Sequence, residues 1–119
     1  MIRLLTLSAV VFISGCSMIP SFWDDNEAYS VAKIRHSIDA MDCNSNYMPQ
    51  AKLIQSDIRF LELYSSSKGS NDLLEMVAKM KKTADGLVEK EENKVFCNLK
   101  KTQLTKQSAI IADAAMERF

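Results

Sequence analysis

KEENKVFC, residues 90–97, leaves two folds open. A helix runs into it. Leu73, Val77, Met80, Ala84, Leu87 and Glu91 recur at alternating steps of four and three, with Leu74, Met76 and Val88 alongside, which is one apolar face of an α-helix. Lys79, Lys81, Lys82, Glu89, Lys90 and Glu92 make its polar face. Helical pattern resumes beyond the stretch, from about Lys94 to Glu117. No proline intervenes, so pattern alone allows one helix through both segments. The other reading puts a turn near Glu91–Lys94, with Asn93 as the natural turn residue.

The rest of the chain also reads as helix. Strand-like alternation is absent and β-branched runs are rare. Asp24 or Asp25 can cap a first helix, with Glu27 in its first turn favouring the dipole. Ala28, Val31, Ile34 or Arg35, Ile38 and Met41 form its apolar face. It should end near Cys43, where Asn44-Ser45-Asn46 is turn chemistry. Pro49 suits the first turn of a second helix, where its missing N–H would be unpaired anyway. Ala51, Ile54, Ile58, Leu61 and Ser65 make that helix's stripe, and Leu53, Phe60 and Tyr64 widen it. In the loop Ser65–Asn71, Gly69 can stop the helix in the left-handed conformation, and Ser70 or Asn71 can cap the next one. In the last helix Phe96, Leu99, Gln103, Ile110 and Ala114 are expected inward, with Leu104, Ile111 and Ala115 beside them.

The N-terminus is of another kind. Arg3 is the only charge before Asp24, and Leu4–Ile13 is a short apolar run. It is well below the roughly 20 residues that span a bilayer, and it has the length of a signal-peptide core. The run ends Ile13-Ser14-Gly15-Cys16: an aliphatic residue, two small ones, a cysteine. Residues 1–16 resemble a bacterial lipoprotein signal. That resemblance implies cleavage before Cys16, a diacylglycerol thioether on its sulfur and an acylated (palmitate-type) new N-terminus. Stable anchoring takes about two lipid signals, so three chains would hold the protein essentially permanently. Ser17 follows the cysteine, where Asp is absent, and this resembles an outer-membrane sorting signal. The resemblance implies a lipid-anchored protein on the periplasmic face of the outer membrane. Ser17–Asn26 is also similar to the starts of small lipoproteins from phage and proteobacterial genomes, and that similarity brings no activity with it.

This organises the chain as signal peptide 1–15, lipidated cysteine and short apolar tether 16–24, and helical domain 25–119. It also bears on the cysteines. With Cys16 taken by lipid, Cys43 and Cys97 remain, and an oxidising periplasm favours pairing them. The alternative is two free, buried thiols. A bridge would close a loop of about 55 residues, contributing on the order of 4 kcal/mol. It would also resolve residues 90–97. Suppose helix one ends at the top near Cys43, helix two runs down, and helix three starts at the bottom near residue 72. Unbroken, helix three would carry Cys97 about 38 Å up, while helix two is only about 25 Å long. The sulfurs would then miss by over about 10 Å, against a usual Cα separation of about 4.4–6.8 Å. A turn near Asn93 brings Cys97 back to the same end as Cys43. The expected fold is therefore all-α: an antiparallel bundle of three to four helices closed by one disulfide, up-down-up-down, or with its outer helix splayed off a three-helix core.

Composition limits the function. The 119 residues carry 15 basic and 15 acidic side chains. Loss of Arg3 with the signal leaves 14 against 15, a formal charge of −1. That is no nucleic-acid footprint. His36 is the only histidine, and a surface position beside Arg35 accounts for it; Ser37, Asp39 and Asp42 nearby do not by themselves make a hydrolytic site. Metal is not expected, since two distant cysteines and one histidine make a poor zinc set. A di-iron site needs Glu-x-x-His repeats. Haem is not expected either, because no Cys-x-x-Cys-His occurs and Met41, Met76 and Met80 lie on apolar faces. No catalytic residue and no cofactor is assigned.

The tether after Cys16 is short and apolar. Phe22 and Trp23 are read either as membrane-proximal anchors in the bilayer interface or as a staple on helix one. The leading functional expectation is a binding or structural module acting on an envelope protein, presenting the Ser65–Asn71 loop or the charged turn near Asn93. The alternative is a carrier of small apolar ligands or lipid, with Tyr47, Phe60, Tyr64 and Phe96 lining a groove.

Overall fold

Residues 90–93 are not helical, and the chain reverses there. The computed structural model describes residues 23–117. They form α1 Asp25–Ala40, α2 Met48–Lys68, α3 Asn71–Glu89 and α4 Lys94–Met116. No strand occurs among the described residues. Each helix packs on its neighbours in sequence, and α4 closes against α1, so the four form an antiparallel up-down-up-down bundle. The splayed arrangement does not occur. The lower end holds the start of α1 and the α2–α3 turn; the upper end holds the α1–α2 loop and the α3–α4 turn.

Local chemistry explains the boundaries. Asp24 caps α1, its Oδ1 accepting from the Glu27 N–H at 3.0 Å. Such a cap contributes about 1 kcal/mol. α1 stops at Ala40, three residues short of Cys43, as Met41 turns to an extended conformation. Pro49 stands in the first turn of α2. Gly69 ends α2 at φ +83°, a left-handed conformation that only glycine adopts readily. Two closing bonds accompany it, Ser70 N–H to Ser65 O at 2.8 Å and Gly69 N–H to Ser66 O at 3.2 Å. Ser70 holds the cap position of α3, but its side chain makes no capping bond. Asn93 caps α4, with Oδ1 accepting from the Phe96 N–H at 3.0 Å.

The core follows the expected stripes in α1, α2 and α3. Val31, Ile34, Ile38 and Met41 meet Ala51, Ile54, Ile58 and Leu61, and Leu73, Val77, Met80, Ala84 and Leu87 complete that side. Full burial of each large aliphatic side chain contributes about 1.5–3 kcal/mol. Glu91, expected at the end of the α3 stripe, lies beyond the helix and is exposed. Leu53 and Phe60, expected to widen the α2 stripe, point to solvent.

α4 corrects the sequence reading most. Leu99 and Ile110 are 56% and 57% exposed, and Gln103 is exposed. The buried seam is Cys97, Leu104, Ser108, Ile111, Ala112 and Ala115; Leu104, Ile111 and Ala115, expected beside the inner face, are its centre. Phe96 and Ala114 only pack at its margin. The true face sits one residue on from the expected one, a rotation of about 100°. The disulfide imposes it: Cys97 must face Cys43, and Leu104 and Ile111 follow at two-turn intervals.

Candidate functional site

Two polar clusters hold the ends of the bundle. At the upper end Cys43 and Cys97 are disulfide-bonded, with S–S 2.10 Å and Cα–Cα 5.6 Å. Tyr47 is buried beside this crosslink. Its hydroxyl accepts from the Asn93 N–H at 2.8 Å, and its own N–H donates to Glu92 Oε2 at 3.3 Å. The α1–α2 loop is thereby fixed to the α3–α4 turn. Lys101 on α4 donates from Nζ to the Met41 carbonyl at 2.8 Å, a cation on carbonyls left open where α1 ends. Beside this clamp Val95 is 78% exposed, among exposed Glu91, Glu92 and Lys94. Phe96 lies under two ammonium groups, with Lys90 Nζ 4.7 Å and Lys100 Nζ 5.4 Å from its ring centre.

At the lower end Glu27 is buried, which the sequence reading missed. Its Oε2 accepts from the buried Ser65 hydroxyl at 2.8 Å, and its Oε1 pairs with Lys68 Nζ at 3.4 Å. A signal was present: Glu27 stands four residues before Val31, on the buried face, and Ser65 continues the α2 stripe. The Tyr64 hydroxyl donates to Asp24 Oδ1 at 2.9 Å and accepts from Asn26 Nδ2 at 3.3 Å. The cap of α1 is thus tied to the last turns of α2.

Cys16 and Phe22 lie outside the described residues. Trp23 is 40% exposed, and its Nε1 donates to Asp25 Oδ1 at 2.6 Å. The Ser65–Asn71 loop is smaller than expected. Residues 65–68 belong to α2, and Ser65 and Ser70 are buried, so the turn itself is Gly69–Ser70.

The four aromatics expected to line one groove do not meet. Tyr47 and Phe96 belong to the upper end. Phe60 and Tyr64 stack at 6.2 Å between ring centres on the lower half of α2. They do border a groove of about 480 Å³ between α1 and α2, with Tyr29, Lys33 and Asp57.

His36 is exposed, next to Arg35 as expected. Among the described residues no group of three or more His, Cys, Asp or Glu side chains is placed to hold a metal ion, and no helix is long and apolar enough to cross a membrane. Compared with known proteins, the chain matches no protein family, no curated protein and no solved structure.

Proposed function

We propose that this chain is a lipid-anchored envelope protein, held by Cys16 on the periplasmic face of the outer membrane. In this reading it acts as a binding or structural module on another envelope protein. The observation that carries the anchor is Ile13-Ser14-Gly15-Cys16 closing an apolar run of signal-peptide length. The Cys43–Cys97 bridge supports the compartment, because disulfides persist where the surroundings are oxidising. The role is one of binding and not of catalysis.

The upper end is the proposed partner surface. α4 is 23 residues long, so Val95 stands about 30 Å along the bundle from the start of α1. That end is braced by the disulfide and by Tyr47, and it presents Val95 and Leu99 within a charged rim. An exposed apolar centre with a polar rim is the usual anatomy of a docking surface.

The test is a photocrosslinking residue at Val95 in cells that export the chain. A single protein adduct, lost when the residue is moved to exposed Lys52, supports the role. The same adducts from both positions, or none, contradict it.

A further inference from the structure

Exposed aromatic side chains gather at one end of this bundle. Trp23, Tyr29 and Phe60 are 40%, 71% and 59% exposed, and Tyr64 stacks on Phe60. Tyr29 is four residues into α1, about 6 Å from its start, and Phe60 lies eight residues before the end of α2, about 12 Å. At the upper end the apolar residues left to solvent are aliphatic, Leu53, Val95 and Leu99, while Tyr47 is buried and Phe96 is covered by lysines.

We propose that the aromatic rim of the α1–α2 groove, formed by Tyr29, Phe60 and Tyr64, rests on the polar interface of the bilayer, with Trp23 beside it at the start of α1. This rests on the proposed lipidation of Cys16. Only seven peptide steps separate Cys16 from Trp23, at most about 25 Å of extended chain. A lipid in the bilayer at Cys16 keeps the lower end within that distance of the membrane, and the aromatic rim belongs to that end.

The groove's chemistry fits headgroup depth. Trp and Tyr are favoured there because one part of each ring system is apolar and another is polar. The groove also carries charge: Lys33 Nζ stands 3.7 Å from Asp57 Oδ1, and Asp57 Oδ2 is buried with no hydrogen-bond partner among the described residues. Hydrocarbon over this ion pair would be penalised heavily, whereas hydrated headgroups leave the exposed Lys33 ammonium solvated. Lys33 and Asp57 balance each other, so docking needs no anionic lipid. The bundle would lie tilted, its α1–α2 face down and Val95 turned away.

The test uses the lipidated full chain in phosphatidylcholine vesicles with brominated acyl chains. Trp23 is the sole tryptophan. In a Trp23→Phe background, single tryptophans are placed by Phe60→Trp, by Arg59→Trp on the α3 side at the same height, and by Val95→Trp. All three positions are exposed. Emission from Phe60→Trp should fall about twofold relative to unbrominated vesicles, as expected of an interfacial ring. Emission from Arg59→Trp and Val95→Trp should not change.

Equal quenching at Phe60 and Arg59, or none at Phe60, overturns the proposal. So does shielding of Phe60→Trp from aqueous iodide before vesicles are present, which means that a second copy or the chain's own N-terminal segment covers the groove. The intact mass of the same sample reads lipidation separately. Acyl chains without quenching at Phe60 sink the docking and leave the anchor. A chain without acyl chains sinks the anchor, and the docking then stands or falls on the same quenching with added vesicles.

Discussion

The Tyr47 hydroxyl accepts a 2.8 Å hydrogen bond from the backbone N–H of Asn93, the residue whose side chain caps α4. One buried ring therefore links the loop that follows α1 to the turn that starts α4. Tyr47→Phe keeps the packing and removes this bond. It should cost about 1 kcal/mol, the net worth of one such bond. Tyr47→Ala also opens a cavity and should cost about 3–5 kcal/mol. Urea unfolding of the pair checks both; equal losses would mean that the hydroxyl, not the ring, carries the contact.

The disulfide spans 54 residues of sequence. Cys43→Ala with Cys97→Ala should lower unfolding free energy by about 4 kcal/mol, through loss of the constraint on the unfolded chain. The reduced wild-type protein should match the double variant. A reduced protein as stable as the oxidised one would show that the bridge is not closed in the folded chain.

Leu104 and Ile111 test the register of α4 against Leu99 and Ile110. Leu104→Ala and Ile111→Ala should each cost about 2–5 kcal/mol, as buried truncations do. Leu99→Ala and Ile110→Ala should stay within about 0.5 kcal/mol, as exposed substitutions do. Thermal unfolding of the four variants reads the difference, and the reverse order would restore the face expected from pattern alone.

Glu27 is 1% exposed, while its partner Lys68 keeps 21% of its side-chain surface. Glu27→Ala leaves the buried Ser65 hydroxyl without its acceptor and Lys68 without that carboxylate. About 2–3 kcal/mol should be lost, less than for a fully buried pair because Lys68 can reach water. Ser65→Ala should cost about 1 kcal/mol. Chemical denaturation checks the order; a larger loss at Ser65 would contradict it.

The sequence disclosed those features whose cause is local. Asp24, Pro49, Gly69 and Asn93 mark helix ends by their own chemistry, and each does so in the structure. The stripes of α1, α2 and α3 were legible because three- and four-residue steps of Val, Ile and Leu admit one inward face. α4 was not legible in that way. Its middle is polar, and two faces one residue apart both carry aliphatic side chains, so only the tertiary constraint at Cys97 chooses between them. The distant contacts of Glu27, Tyr47 and Lys101 were not legible for a related reason. Their partners lie 38 to 60 residues away in sequence, and a polar side chain does not announce a distant partner. Phe60 shows the converse, since its place beside the α2 stripe looked like core and is open surface.

A chain anchored by Cys16 and closed by Cys43–Cys97 is the basis of both proposed surfaces. The most direct measurement is the intact mass of the protein purified from membranes, with and without reductant. The expected mass is that of residues 16–119 plus three acyl chains, gaining two hydrogens on reduction. An unlipidated chain with Cys43 and Cys97 both free would contradict both the anchor and the compartment.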